Sequence, residues 1–271
     1  MSASNFDGPK PPHHRSKIQA EHASAFDKRR GLAERSAMSG TVKICGLSTA
    51  PTLDAALDAG ADMVGFVFFE KSPRHIQLDQ AKTLTARVEG RARIAVLTVD
   101  ASNEALSAII DAAQPDFLQL HGRETPARVT DLKRLFGLPA IKAIGVSTAG
   151  DVAAAEAYRN IADRLLFDAK APTDARHPGG NGVAFDWRLL AGLDLRQPWL
   201  LSGGLDASNV AEAIAATGAC GVDVSSGVES APGHKDIGRI RAFVAEARAA
   251  FARGGAGRQA APADTRAGRV A

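Results

Sequence analysis

A chain of 271 residues, 45% hydrophobic and only 5% aromatic, can bury a sizeable core, and its 2 cysteines exclude a disulfide framework or a zinc-type CxxC cluster. No apolar run approaches the roughly 20 residues of a membrane helix, and the first residues lack the apolar centre of a secretory signal, so we expect a cytoplasmic protein with no membrane partner. The formal charge of +3 comes from the ends: residues 1–37 and 252–271 each carry +3 and leave −3 on residues 38–251, which argues against nucleic acid as a partner.

Residues 1–39 are polar and spotted with Pro, His and Arg, a composition that predicts a disordered extension in which His13 and His14 are solvated rather than metal-bound. Met38 stands just before the first apolar run and is a candidate native start. Short β-branched or apolar runs then recur: TVKIC (41–45), DMVGFVF (62–68), RIAVLTV (93–99), DFLQLHG (116–122), PAIKAIG (139–145), DRLLFDA (163–169), PWLLSGG (198–204) and GVDVSSG (221–227). Between them lie amphipathic helix candidates, among them residues 52–60, 103–114 and 206–218, and a last one over 237–254 closes the series. Eight strand signals each followed by a helix signal predict a parallel sheet with helical crossovers, and eight is the number that closes a (β/α)8 TIM barrel, here over residues 40–252. An open doubly wound sheet is the competing architecture, but no GxGxxG follows the first strand. Residues 253–271, rich in Gly, Ala and Arg, read as a second tail, disordered or weakly helical.

Alternation within a strand sorts its side chains between two faces. If Val42 and Ile44 pack on the helices, Lys43 and Cys45 point into the barrel. The same reasoning turns Gln119, His121, Leu166, Asp168, Asp223 and Ser225 inward. A buried ammonium is costly unless paired, and strand 8 neighbours strand 1 in a closed barrel. A Lys43–Asp223 ion pair within about 6 Å is therefore expected. Cys220, at the opposite end of strand 8, is expected in the core.

The strand ends also hold the candidate chemistry. The segments LLSGGLDAS and DVSSGVES place Gly203, Gly204, Ser226 and Gly227 after strands 7 and 8, where backbone N–H groups of such barrels hold phosphate. The same glycines also suit short turns with no ligand. The connection from Ala169 to Trp187 is long and contains Gly179, Gly180 and Gly182, as a lid would; His177 within it reads as exposed and uninvolved. Arg74, in the Ser-Pro turn after strand 2, is either solvated or positioned to grip a carboxylate with two parallel hydrogen bonds. Cys45 is either a small buried filler or a reactive thiol, and Asp168 either caps a loop or faces a ligand. Across a small ligand, these two could work as base and acid.

Taken together, VKICGLST, GADMVGFVFFEKSPRHI, FLQLHGRE, IKAIGV, LLFDAKAP, GGNGVAFDW, LLSGGLDASNV and GVDVSSGVESAPGHKD resemble, in order, the phosphoribosylanthranilate isomerases of tryptophan biosynthesis. The resemblance runs from about Val42 to Ala250 and omits both tails. It implies an Amadori rearrangement of N-(5-phosphoribosyl)anthranilate to 1-(2-carboxyphenylamino)-1-deoxyribulose 5-phosphate, with no metal or organic cofactor. It also implies a small phosphosugar-anthranilate partner and a monomer or homodimer. By the same resemblance Cys45 is the catalytic base, Asp168 the catalytic acid and Arg74 the contact to the substrate carboxylate. His121 either touches substrate or supports the pocket. Two other functions compete with this one: an isomerase that also accepts the related aminoaldose of histidine biosynthesis, and a sugar-phosphate-binding barrel without activity. The Cys45 and Asp168 pair argues against both.

Overall fold

In the computed structural model, which describes residues 40–170, 184–195 and 197–259, the apolar runs become eight parallel strands. They are β1 (Thr41–Cys45), β2 (Met63–Phe68), β3 (Arg93–Thr98), β4 (Phe117–Leu120), β5 (Ala140–Val146), β6 (Arg164–Ala169), β7 (Trp199–Leu201) and β8 (Gly221–Val224). They close into a barrel in chain order. The open-sheet alternative falls because β1 pairs with both β2 and β8. Expected strands 7 and 8 are shortened to three and four residues, because the SGG and SSG segments leave the sheet and turn as loops.

Helices α1 (Ala50–Asp58), α2 (Leu78–Ala86), α3 (Asn103–Ala113), α4 (Pro126–Phe136), α5 (Ala149–Ala154), α6 (Val210–Thr217) and α7 (Ile237–Gln259) form the crossovers. Several start where a side-chain oxygen accepts an otherwise unsatisfied N–H: Ser102 from Ala105, Thr125 from Arg128, and Thr148 in a reciprocal capping box with Asp151. Gly137 and Gly218, with φ of 66° and 67°, end α4 and α6 in the left-handed conformation that only glycine adopts without strain. Between β6 and β7 the described residues contain only a 3-10 turn, Trp187–Leu190, anchored by the fully buried Leu190. Helix α7 also continues to Gln259, beyond residue 252 where the barrel was expected to end. No helix among the described residues is long and apolar enough to cross a membrane.

The two faces of the sheet separate as alternation requires. Val42, Ile44, Val64, Phe66, Val96, Leu165 and Phe167 pack with the helices in one large buried cluster. Met63, Ala95, Phe117, Ile141, Ala143, Leu166 and Leu200 form a second cluster that fills the barrel interior. At the lower end the guanidinium groups of Arg93 and Arg164 lie over the Phe117 ring, 5.6 and 5.5 Å from its centroid. Toward the strand C-termini the apolar filling gives way to buried Lys43, Gln119, Asp168 and Asp223.

Lys43 and Asp223 stand opposite each other in the β1–β8 register, and their side chains meet at 2.6 Å with the lysine fully buried. The expected ion pair is present. Ser202 donates a further hydrogen bond of 3.4 Å to the second carboxylate oxygen. Cys220 departs from expectation: it is exposed, because it lies one residue before β8 where the lower rim meets solvent. Its thiol donates to the Trp199 carbonyl.

Removing one member of a buried pair strands the other charge, whereas removing both does not. Lys43→Met or Asp223→Leu alone should therefore destabilise the fold by about 3–5 kcal/mol, and the double variant by less than the sum. Urea unfolding of all three variants measures this, and strictly additive losses would contradict the pairing.

Candidate active site

Cys45 ends β1 and is buried. Its neighbour in register on β2 is Gly65, and the missing side chain there makes room at the mouth: a Cβ on Gly65 would lie 2.9 Å from Cys45 Sγ and 3.2 Å from Lys43 Nζ. Thiol and ammonium thus adjoin the same small space. Burial pushes the Cys45 thiol above its ordinary value; the Lys43 charge opposes this and Asp223 reinforces it. Burial alone would weaken the Lys43 ammonium, but Asp223 and Cys45 outweigh it and hold the lysine above the usual range.

Asp168, near the end of β6, is the second buried group at the mouth. One of its oxygens accepts the Ala169 N–H at 2.9 Å and the other lies 3.3 Å from His121 Nε2. On the far side of the ring, His121 Nδ1 is 3.3 Å from the Gln119 side-chain amide nitrogen. An amide nitrogen only donates, so Nδ1 accepts and the ring proton is on Nε2, the nitrogen nearer Asp168. His121 therefore stands between Gln119 and Asp168 at the mouth. Gln119 Oε1, also buried, has no hydrogen-bond partner among the described residues.

The turn that carries His121 is held from below by groups that sequence reading missed. Lys142 Nζ, buried on β5, donates to the carbonyls of Leu120 at 3.2 Å and Gly122 at 2.7 Å and pairs with Glu124 at 3.1 Å. Glu124 in turn accepts the N–H groups of Asp100 and Gly122. The signal was present: a lysine between apolar strand residues needs a buried carboxylate, the same reasoning that paired Lys43.

Arg74 is brought to the mouth, beside Cys45: a Cβ on Gly46 would lie 2.7 Å from Arg74 Cδ. It is buried rather than solvated, and its fork meets a carboxylate of the protein itself. Nε and Nη2 donate to Glu229 at 2.7 and 2.8 Å. Glu229 starts a two-strand hairpin, β9 (Glu229–Ala231) and β10 (His234–Lys235), that follows β8. It also accepts from Lys235 Nζ at 2.7 Å. Burial would raise the Glu229 carboxyl, but Arg74 and Lys235 overcome that and lower it. Burial pulls Lys235 down to about 8 despite the attraction of Glu229.

The two loops expected to hold phosphate lie between β6 and β1 in the ring. Gly203 and Gly204 have φ of 86° and 69° and pack so closely on Ala169 and Ala184 that a Cβ would come within 2.6 Å of either. Gly227 packs against the Leu205 carbonyl and joins one loop to the other, and Ser226–Val228 form a single 3-10 turn. The glycines are therefore required by local packing. Among the described residues the N–H groups of Gly203 and Gly204 have no acceptor, which suits an anion. The expected lid glycines Gly179, Gly180 and Gly182, with His177, lie outside the described residues, as does the N-terminal extension. No group of three or more His, Cys, Asp or Glu side chains suited to a metal occurs among the described residues.

Residues 42–246 match the family model described as N-(5'phosphoribosyl)anthranilate (PRA) isomerase. A protein of Nitrobacter hamburgensis named N-(5'-phosphoribosyl)anthranilate isomerase is 61% identical over 213 residues, 79% of this chain and 95% of the relative. Among solved structures, the phosphoribosyl anthranilate isomerase of Thermotoga maritima aligns with a TM-score of 0.69 and 34% identity, over 78% of this chain and 99% of that one. Another structure of such an isomerase, in complex with reduced 1-(o-carboxyphenylamino)-1-deoxyribulose 5-phosphate, aligns with a TM-score of 0.66 and 32% identity, over 78% and 99%.

Lys235 supplies a test of the site's electrostatics. Its value of about 8 in the fold lies below the ordinary 10.5, so the unfolded chain holds that proton more tightly. Stability should then rise with pH between these two values, by up to about 3 kcal/mol from this group. Urea unfolding of the native protein and Lys235→Met across that window isolates the contribution. The native protein should gain on the variant as pH rises, and a constant difference would contradict the assignment.

Proposed function

This chain belongs to the N-(5'-phosphoribosyl)anthranilate isomerase family, and we propose that Cys45 and Asp168 are the base and acid of its reaction. The reaction converts N-(5-phosphoribosyl)anthranilate to 1-(2-carboxyphenylamino)-1-deoxyribulose 5-phosphate in tryptophan biosynthesis. The observation that carries the assignment is their placement: a buried thiol ending β1 and a buried carboxyl near the end of β6, on the same rim. The phosphate-suited loops after β7 and β8 lie between them.

Asp168, in its acid form, donates a proton to the ribose ring oxygen as the C1–O bond breaks, which leaves a protonated Schiff base between C1 and the anthranilate nitrogen. Cys45, as thiolate, then removes the C2 proton, and the electron pair forms the C1=C2 bond of an enolamine. C1 gains a proton, the C2 hydroxyl loses one, and the ketone results. No redox partner is needed, and we propose no cofactor. The Lys43 charge, and more weakly that of Lys235, favours the thiolate that burial disfavours. His121 orients Asp168, and the unpartnered Gln119 oxygen suits a sugar hydroxyl.

The phosphate is assigned to Gly203, Gly204, Ser226 and Gly227, and the substrate carboxylate to Arg74. Binding at both ends fixes the sugar between acid and base, so remote contacts contribute to the rate. The solved Thermotoga maritima relative is described as dimeric and has been obtained as monomers; for this chain we propose a monomer or homodimer in the cytoplasm.

Cys45→Ser and Asp168→Asn should each lower kcat by at least about a hundredfold, the lower range for general acid or base catalysis. Consumption of freshly made phosphoribosylanthranilate, followed by fluorescence, reads this directly. Near-native turnover by both variants would reject the assignment.

A further inference from the structure

Arg74 and the hairpin that contacts it are far apart in the chain, yet they meet with every polar site of one carboxylate in use. Glu229 Oε1 accepts from Arg74 Nε at 2.7 Å and Lys235 Nζ at 2.7 Å; Oε2 accepts from Arg74 Nη2 at 2.8 Å and Gly233 N at 3.2 Å. A carboxylate has about four lone-pair positions, so Glu229 is saturated and has no capacity left for a ligand or a proton. Its own backbone carbonyl accepts from Arg239 Nη1, which ties the start of the hairpin to α7.

Two further contacts extend the arrangement. The hairpin tip lies on the residue before the arginine: Gly233, at φ of 81°, leaves room for the Pro73 carbonyl where any side chain would collide. Lys235 also donates to Ser225 O at 2.8 Å and lies 3.2 Å from Ser225 Oγ, and that hydroxyl donates to the Cys45 carbonyl at 3.2 Å. One buried carboxylate therefore links the loop after β2, the end of β1 and the loop that carries Ser226 and Gly227. Arg74, Lys235 and Glu229 together carry a single net positive charge while the lysine is protonated.

We propose that Glu229 is a positioning residue that sets selectivity for a carboxylated substrate. It fixes the plane of the Arg74 guanidinium at the mouth, where that guanidinium is assigned to the substrate carboxylate. Carboxylate selectivity is then a property of the hairpin after β8 as much as of the loop after β2. The proposal rests on the assignment of Arg74 to the substrate carboxylate.

The test compares the affinity of the native protein, Glu229→Gln, Arg74→Ala and the double variant for two ligands. These are the reduced product analogue and the same compound without its aromatic carboxylate, measured by competition against turnover of phosphoribosylanthranilate. Glu229→Gln should lower the preference for the carboxylated ligand by about tenfold or more, the scale of hydrogen bonds to charged groups. It should raise KM far more than it lowers kcat, and leave affinity for the second ligand unchanged, which also reports that the fold is intact. Added to Arg74→Ala it should cost no further selectivity, and Glu229→Asp should restore part of the preference. If Arg74→Ala abolishes the preference but Glu229→Gln keeps it, the positioning role is overturned while the Arg74 assignment stands. If Arg74→Ala also keeps it, both fail. Absence of turnover by the native protein would overturn the isomerase assignment itself.

Discussion

A lysine with no exposure at all, in the first strand of a barrel, constrains much of what surrounds it. An unpaired ammonium there would cost several kcal/mol, so Lys43 requires a carboxylate, and the closed ring offers β8 as its neighbour. Asp223 meets it directly in register. Strand alternation then determines the next inward positions: two residues beyond Lys43 is Cys45, and two beyond Asp223 is Ser225. The arrangement that makes the buried pair tolerable also delivers the thiol to the rim, with the Ser225 hydroxyl on its backbone carbonyl.

The rest of the mouth follows the same electrostatic pattern. Lys142 with Glu124 supports the turn that carries His121, and His121 contacts Asp168. Arg74 and Lys235 share Glu229. Each buried lysine or arginine at the mouth meets a buried carboxylate, and the proposed substrate brings anionic groups at its two ends. In the proposed site, selectivity and reactivity are separated in space: the residues assigned to carboxylate and phosphate belong to loops, whereas the proposed acid and base are on strands, where packing holds them most firmly.

The barrel was legible because hydrophobic periodicity counted its strands and alternation sorted their faces. The same alternation revealed Lys43, Cys45, Asp168 and Asp223 as inward-facing groups and paired two of them correctly. What escaped was contact between loops. Nothing local to Arg74 announces Glu229, because the two meet only after β8 has closed against β1 and the hairpin has folded back on Pro73. The lysine reasoning applied to Lys43 would have found a need for a partner at Lys142, yet not that Glu124 supplies it. Cys220 was misplaced because a strand's first residues need not share the burial of its middle. The helix signal expected after β6 is answered, among the described residues, only by a short 3-10 turn.

The central claim is that Cys45 and Asp168 face one aminosugar from two sides while its phosphate lies against the loops after β7 and β8. A crystal structure of this protein with the reduced product analogue tests it most directly. The sulfur should lie against C2, the Asp168 carboxyl against the oxygen released from the opened ring, and the phosphate within hydrogen-bond distance of the Gly203, Gly204, Ser226 and Gly227 N–H groups. A phosphate bound elsewhere, or a sugar that touches neither the thiol nor the carboxyl, would contradict the account.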